Sequence, residues 1–126
     1  MLAVGAGFFS TQILSLAGDK AYSSLAPAAF DAATHSKDTA SLIVMLAYAS
    51  IAGFIGAYIA ARLAARRPVA HALVLGLVSL ALTIVSTFLA WDAAPPWYHA
   101  ATLLLVVPVA FLAGTVREMQ TRSIAA

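Results

Sequence analysis

His71 and His99 are the side chains in this sequence best suited to hold a cofactor, since imidazole nitrogen is a common ligand of haem iron and of metals. Each stands at the start of a different apolar stretch. If both stretches cross a bilayer as helices, the helical rise sets the two imidazoles roughly 25 Å apart along its normal. They cannot share one haem. Pigment-binding helices of light-harvesting proteins place a small residue four positions before the ligand. Arg67 and Pro95 stand there instead. The two read as interfacial structural histidines, and they remain the ligand candidates; His35 falls in a polar connection. No cysteine is present, which excludes thiolate nucleophiles, thiolate metal sites and disulfides.

Catalysis has no visible seat. No Ser, His and Asp fall at one level, no glycine loop is arranged to cradle phosphate, and no spacing fits a metal. An enzyme is not expected, and no cofactor is implied. Ion-coupled transport normally shows an ionisable residue at depth, because burying one in lipid is costly. The deepest strongly polar group here is Gln12, with Ser79, Thr83 and Ser86 as weaker hydroxyls, while Glu118 lies in the C-terminal tail. Small four-helix multidrug transporters depend on a glutamate embedded in their first helix, and this chain has none.

The elements that must position these groups are set by composition. Apolar residues make up 63% of the 126 and charged residues 10%, against roughly 45–50% and 25% in soluble domains. A chain this small cannot hide so much apolar surface in a core, whereas lipid solvates it. Four apolar runs, 2–17, 41–61, 69–91 and 98–116, hold no Asp, Glu, Lys or Arg in their interiors. About 20 helical residues cross a hydrocarbon core of ~30 Å. The first run is shortest and carries Ser10, Thr11, Gln12 and Ser15. Its "SLA" at 15–17 resembles a signal-peptide cleavage site, but no basic region precedes it, so it reads as a membrane helix. The expected fold is an all-α membrane protein: one domain, 1–126, with four transmembrane helices in two antiparallel hairpins. An outer loop spans 18–40. Tyr22, Leu25, Ala26, Ala29 and Ala33 fall there at helical spacing, interrupted by Pro27, as in a short interfacial segment. "RLAARR" ends at Pro68, a helix-starting position, and Pro95-Pro96 in "WDAAPPWYH" cannot continue a helix.

Charge orients this frame. Arg62, Arg66 and Arg67 follow the second run, and Arg117 and Arg122 follow the fourth; the opposite side has only Lys20 and Lys37. The positive-inside rule then puts both termini in the cytoplasm, with Trp91, Trp97 and Tyr98 as anchors at the outer interface. The arginine cluster lacks interleaved aromatics. It reads as a topology signal that holds anionic lipid headgroups, with no nucleic acid as partner.

Small residues form the most specific pattern. Ala49, Gly53, Ala57, Ala61 and Ala65 make one row at a spacing of four, and Ala52, Gly56, Ala60 and Ala64 make an adjacent row. The first run offers Ala3, Gly7, Thr11 and Ser15. Such rows let membrane helices approach closely, either within this chain or against another subunit. Pro108 interrupts the fourth run and deprives the Leu104 carbonyl of its donor, which predicts a kink, static or hinged, compensated by Thr102 or a neighbouring helix.

"AYIAARLAARRPVAHALVLGLVSLALTIV" and "PPWYHAATLLLVVPVAFLAG" resemble a group of small bacterial four-helix integral membrane proteins of no assigned activity. The resemblance rests on ARLAxRRPxAHAL and PxWY…LxxPxAxLxG and covers roughly the last 75 residues, while "LAVGAGFF" also fits the start. Related sequences often carry an acidic residue near the end of the first helix, where Asp19 falls. The resemblance implies a multi-pass protein of the bacterial inner membrane. The expected function is a non-catalytic accessory or structural subunit packed against a larger membrane complex, such as a photosynthetic or respiratory one. The alternatives are a small oligomeric transporter or channel, and a pigment- or haem-binding subunit.

Overall fold

The computed structural model describes residues 1–25 and 39–125. They form four helices: α1 (Leu2–Leu25), α2 (Thr39–Leu63), α3 (Pro68–Leu89) and α4 (Pro96–Ala125), with a single 3-10 turn at Trp91–Ala93. The protein is all-helical, and α2, α3 and α4 are each long and apolar enough to cross a membrane. It is therefore a multi-pass membrane protein. Gln12, Asp19 and Lys20 dilute α1, which is not among the three.

The distribution of side chains is that of a lipid-solvated bundle. Large apolar groups point outward, with Phe88 79% and Leu104 74% exposed. The core is built from Ala57, Ala60, Ala61, Ala72, Leu75, Ala110 and Ala113. Lipid gives helices no hydrophobic reason to associate, so stability comes from close van der Waals contact, which small side chains permit. Two glycine contacts show how close. A Cβ on Gly7 would stand 2.5 Å from the Gly56 carbonyl oxygen, and one on Gly76 would stand 2.7 Å from the Ala110 Cβ. A mid-helix glycine costs about 1 kcal/mol relative to alanine; the contact it admits offsets that cost.

Contacts between α1 and α2 run in opposite chain directions. Gly7 and Thr11 meet Gly56, Gly18 meets Tyr48, and the Tyr22 hydroxyl donates to Ser41 Oγ at 2.9 Å. The same holds for α3 and α4, where Gly76 meets Ala110 while Val69 and Ala72 meet Gly114. The Tyr58 hydroxyl of α2 donates to Gln120 of α4 at 2.6 Å.

Several boundaries differ from the sequence expectation. The first helix does not stop at 17. It continues to Leu25, so 18–25 is helix and not loop. No proline intervenes before Pro27, and Gly18 is tolerated because its bare Cα admits the Tyr48 ring: a Cβ there would lie 2.7 Å from it. Tyr22 and Leu25 of the expected interfacial segment belong to α1; Ala26, Pro27, Ala29 and Ala33, like His35 and Lys37, lie outside the described residues. At the other terminus α4 runs past 116 to Ala125, supported by an Arg122–Glu118 pair one turn apart at 2.5 Å. Trp91 lies not in α3 but in the 3-10 turn, because the chain turns at Ala90 toward Pro95 and Pro96. Arg67 adopts a left-handed φ of 54° just before Pro68, a site where the proline ring disfavours right-handed helix. Helix α4 passes through Pro108 without a break. Thr102 does not serve the Leu104 carbonyl, because its hydroxyl donates to Tyr98 at 2.8 Å.

Candidate functional site

The two ends of the bundle pack differently. Toward the Arg62 end, the Gly7–Gly56, Gly76–Ala110 and Gly114–Ala72 contacts leave no room. Toward the Trp91 end the four helices separate around a cavity of about 270 Å³. Gly53 marks the change, since a Cβ there would meet nothing closer than Val109 at 3.9 Å.

Every helix contributes a polar group to the wall. Thr11, Gln12 and Ser15 come from α1 and Ser50 from α2; Ser79, Thr83 and Ser86 come from α3, and Thr102 from α4. The threonines are oriented in a specific way. Thr11 donates to Gly7 at 3.0 Å, Thr83 to Ser79 at 2.8 Å and Thr102 to Tyr98 at 2.8 Å, each to a carbonyl of its own helix. A hydroxyl whose proton is committed this way offers its neighbours only lone pairs. These three threonines therefore turn acceptor lone pairs toward the cavity, while Gln12 brings an amide that both donates and accepts.

One turn beyond the cavity stands a carboxylate. Asp19 follows Ser15 by four residues, so the two share a face of α1. The Tyr48 hydroxyl donates to Asp19 Oδ1 across the α1–α2 contact. Tyr48 lies nine residues into α2, about 13 Å from its start by helical rise. Sequence reasoning placed Asp19 in the outer loop; the longer α1 carries it into the bundle. The row Ala3, Gly7, Thr11, Ser15 pointed there, since its next member at the same spacing is Asp19. Aromatic rings surround the pair. Tyr22 and Tyr48 are 6.4 Å apart between centroids, and Tyr98 lies within electrostatic reach of Asp19.

Trp91, Trp97 and Tyr98, expected from the sequence to be interface anchors, cluster at this same end. Trp91 stacks on His99 at 5.2 Å, and Trp97 meets Tyr98 edge-on at 6.0 Å. His99 is buried, and its Nε2 lies 3.1 Å from the Trp91 carbonyl. That nitrogen must donate there and is not available to a metal. His71 Nδ1 is likewise 3.1 Å from the Arg67 carbonyl at the opposite end. The two imidazoles are not brought together, and among the described residues no group of three His, Asp or Glu could hold a metal ion.

Of the small-residue rows, Ala52, Gly56, Ala57, Ala60 and Ala61 are buried by the chain's own helices, and Ala49 and Gly53 line the cavity. Arg62, in the last turn of α2, and Arg66 and Arg67 beyond it are exposed. Among the described residues the one ion pair is Arg122–Glu118. No family model, curated relative or solved structure matches the chain.

Proposed function

We propose that this chain is a non-catalytic protein of the bacterial inner membrane. It has four spans in two antiparallel hairpins and both termini in the cytoplasm, and it works by taking a small solute into its central cavity, as a transporter or channel does. The observation that carries this reading is the cavity with a polar group from every helix. Membrane helices bury hydroxyls and amides where they line a path or a site. An apolar cavity of about 150 Å³ takes up benzene. At about 270 Å³ this one suits a somewhat larger solute. The five arginines at the end of α2, just after it and in the C-terminal part of α4 support the orientation and a contact with anionic lipid.

The test is solute uptake by the purified chain in proteoliposomes, across a panel of small solutes, beside Gly53→Leu. Leucine at 53 fills the cavity, because the space around that Cα is open. A solute whose uptake collapses in Gly53→Leu supports the reading. Equal uptake by the two chains across the panel overturns it. An accessory subunit is the second reading, and the resemblance motivates it. The buried state of Gly56, Ala57, Ala60 and Ala61 leaves the outward faces of the helices, which include Leu77 and Phe88, as its docking surface among the described residues. It predicts a stoichiometric partner on native purification. A visible absorption spectrum of the purified chain tests pigment or haem.

A further inference from the structure

The cavity and the carboxylate beyond it can share one guest. A donor group in the cavity meets threonine oxygens whose own protons are already committed to Gly7, Ser79 and Tyr98. Past the outer end of the cavity, one helical turn along α1 from Ser15, stands the Asp19 carboxylate. Ser15 of the wall precedes Asp19 by one turn on α1, Ala49 of the wall adjoins Tyr48 on α2, and Thr102 of the wall follows Tyr98 by one turn on α4. Three separate helices thus place Asp19, Tyr48 and Tyr98 over the same end of the cavity.

We propose that this end is a binding site for the ammonium group of a small organic amine, with the Asp19 carboxylate as its counter-charge and the rest of the amine in the cavity. The inference rests on the cavity reading above and names its guest. Tyr48 holds Oδ1 of Asp19, and the lone pairs of the second carboxylate oxygen serve the ammonium. The rings of Tyr22, Tyr48 and Tyr98 add the attraction of π-faces for a cation, which strengthens where water is excluded. The remaining ionisable groups nearby do not replace the guest. Lys20 is exposed on the next position of α1, Asp92 is exposed in the 3-10 turn, and His99 is held by Trp91. Among the described residues no Lys or Arg forms an ion pair with Asp19. Asp19 is half-buried where α1 meets α2, and an amine guest supplies the cation that the described residues do not.

The experiment compares benzylamine with benzyl alcohol, a neutral molecule of nearly the same shape, for binding to the full chain in lipid nanodiscs. Benzylamine is expected to bind at least about tenfold more tightly, equivalent to ~1.4 kcal/mol. Asp19→Asn is expected to bring the two within about twofold, and Gly53→Leu to abolish both. Equal binding to the unaltered chain, or a benzylamine preference that survives Asp19→Asn, overturns the amine site and leaves the cavity reading standing. If neither probe binds the unaltered chain, the cavity reading falls and takes the amine site with it. Should Asp19→Asn fail to assemble, Asp19→Glu carries the test: it keeps the charge and moves it by one methylene. A reduced but persisting amine preference there supports the site, and an unchanged preference overturns it.

Discussion

The Arg62 half and the Trp91 half of this bundle are built from the same four helices under opposite rules. In the first, Gly7 meets Gly56 and Gly76 meets Ala110 so closely that a Cβ on any of these glycines would collide. In the second, Ser, Thr and Gln stand among Leu, Val and Ala around a space of about 270 Å³, and a Tyr–Asp pair stands one turn beyond it. The first half keeps the helices together where lipid provides no hydrophobic drive. The second half has contacts of its own, Gly18 with Tyr48 and Tyr22 with Ser41, and leaves space between them and the tight half. The contrast assigns distinct consequences to substitutions that look alike in sequence.

Gly56→Leu should have the largest effect. Its side chain would collide with Thr11 and with the Gly7 carbonyl, and overpacking against backbone costs roughly 1–3 kcal/mol or more. Loss of the monodisperse peak on gel filtration, or a sharp fall in thermal midpoint, is the expected result. An unaffected variant would show that the tight half is not tight. Tyr48→Phe follows, since a hydrogen bond to a charged group contributes roughly 1.5–3 kcal/mol. Its stability in a detergent titration should fall accordingly, and a neutral outcome would break the link between α1 and α2 at Asp19. Gly53→Leu, one turn from Gly56, should alter stability by less than about 1 kcal/mol while abolishing uptake. If it destabilises as much as Gly56→Leu, the two halves do not differ. The smallest effect belongs to Glu118→Ala at the end of α4. Its pair with Arg122 is solvent-exposed and should contribute no more than about 0.5 kcal/mol; a larger drop in the same titration would show that the tail is held as firmly as the core.

Much of the first half was legible in the sequence. The rows through Gly7, Gly56 and Ala60 mark faces of close approach, because a spacing of four repeats on one side of a helix. What the rows did not specify was the partner, and the structure sets them against the chain's own α1, α3 and α4. The second half was less legible. Thr11, Ser15, Ser50, Ser79, Thr83, Ser86 and Thr102 are scattered along the chain, and single hydroxyls in apolar runs usually bond to their own helix. Their convergence is a property of how four helices splay. Asp19 was visible as a residue but was assigned to a loop, because apolar runs are bounded by charges in sequence, whereas helices are bounded by breakers and contacts. Gly18 looked like an end and served as a seat for the Tyr48 ring.

Taken alone, the sequence determined that this protein is helical and multi-pass, because composition and run length depend only on the order of residues and the thickness of a bilayer. It also determined which faces are smooth. Only the tertiary structure decided that the smooth faces meet one another within one chain, that α1 carries Asp19 inward to Tyr48, and that the hydroxyls share a cavity. Periodicity fixes the direction of a side chain about its own axis, while the neighbour it meets depends on the offsets and crossing of separate helices, and no single run encodes those.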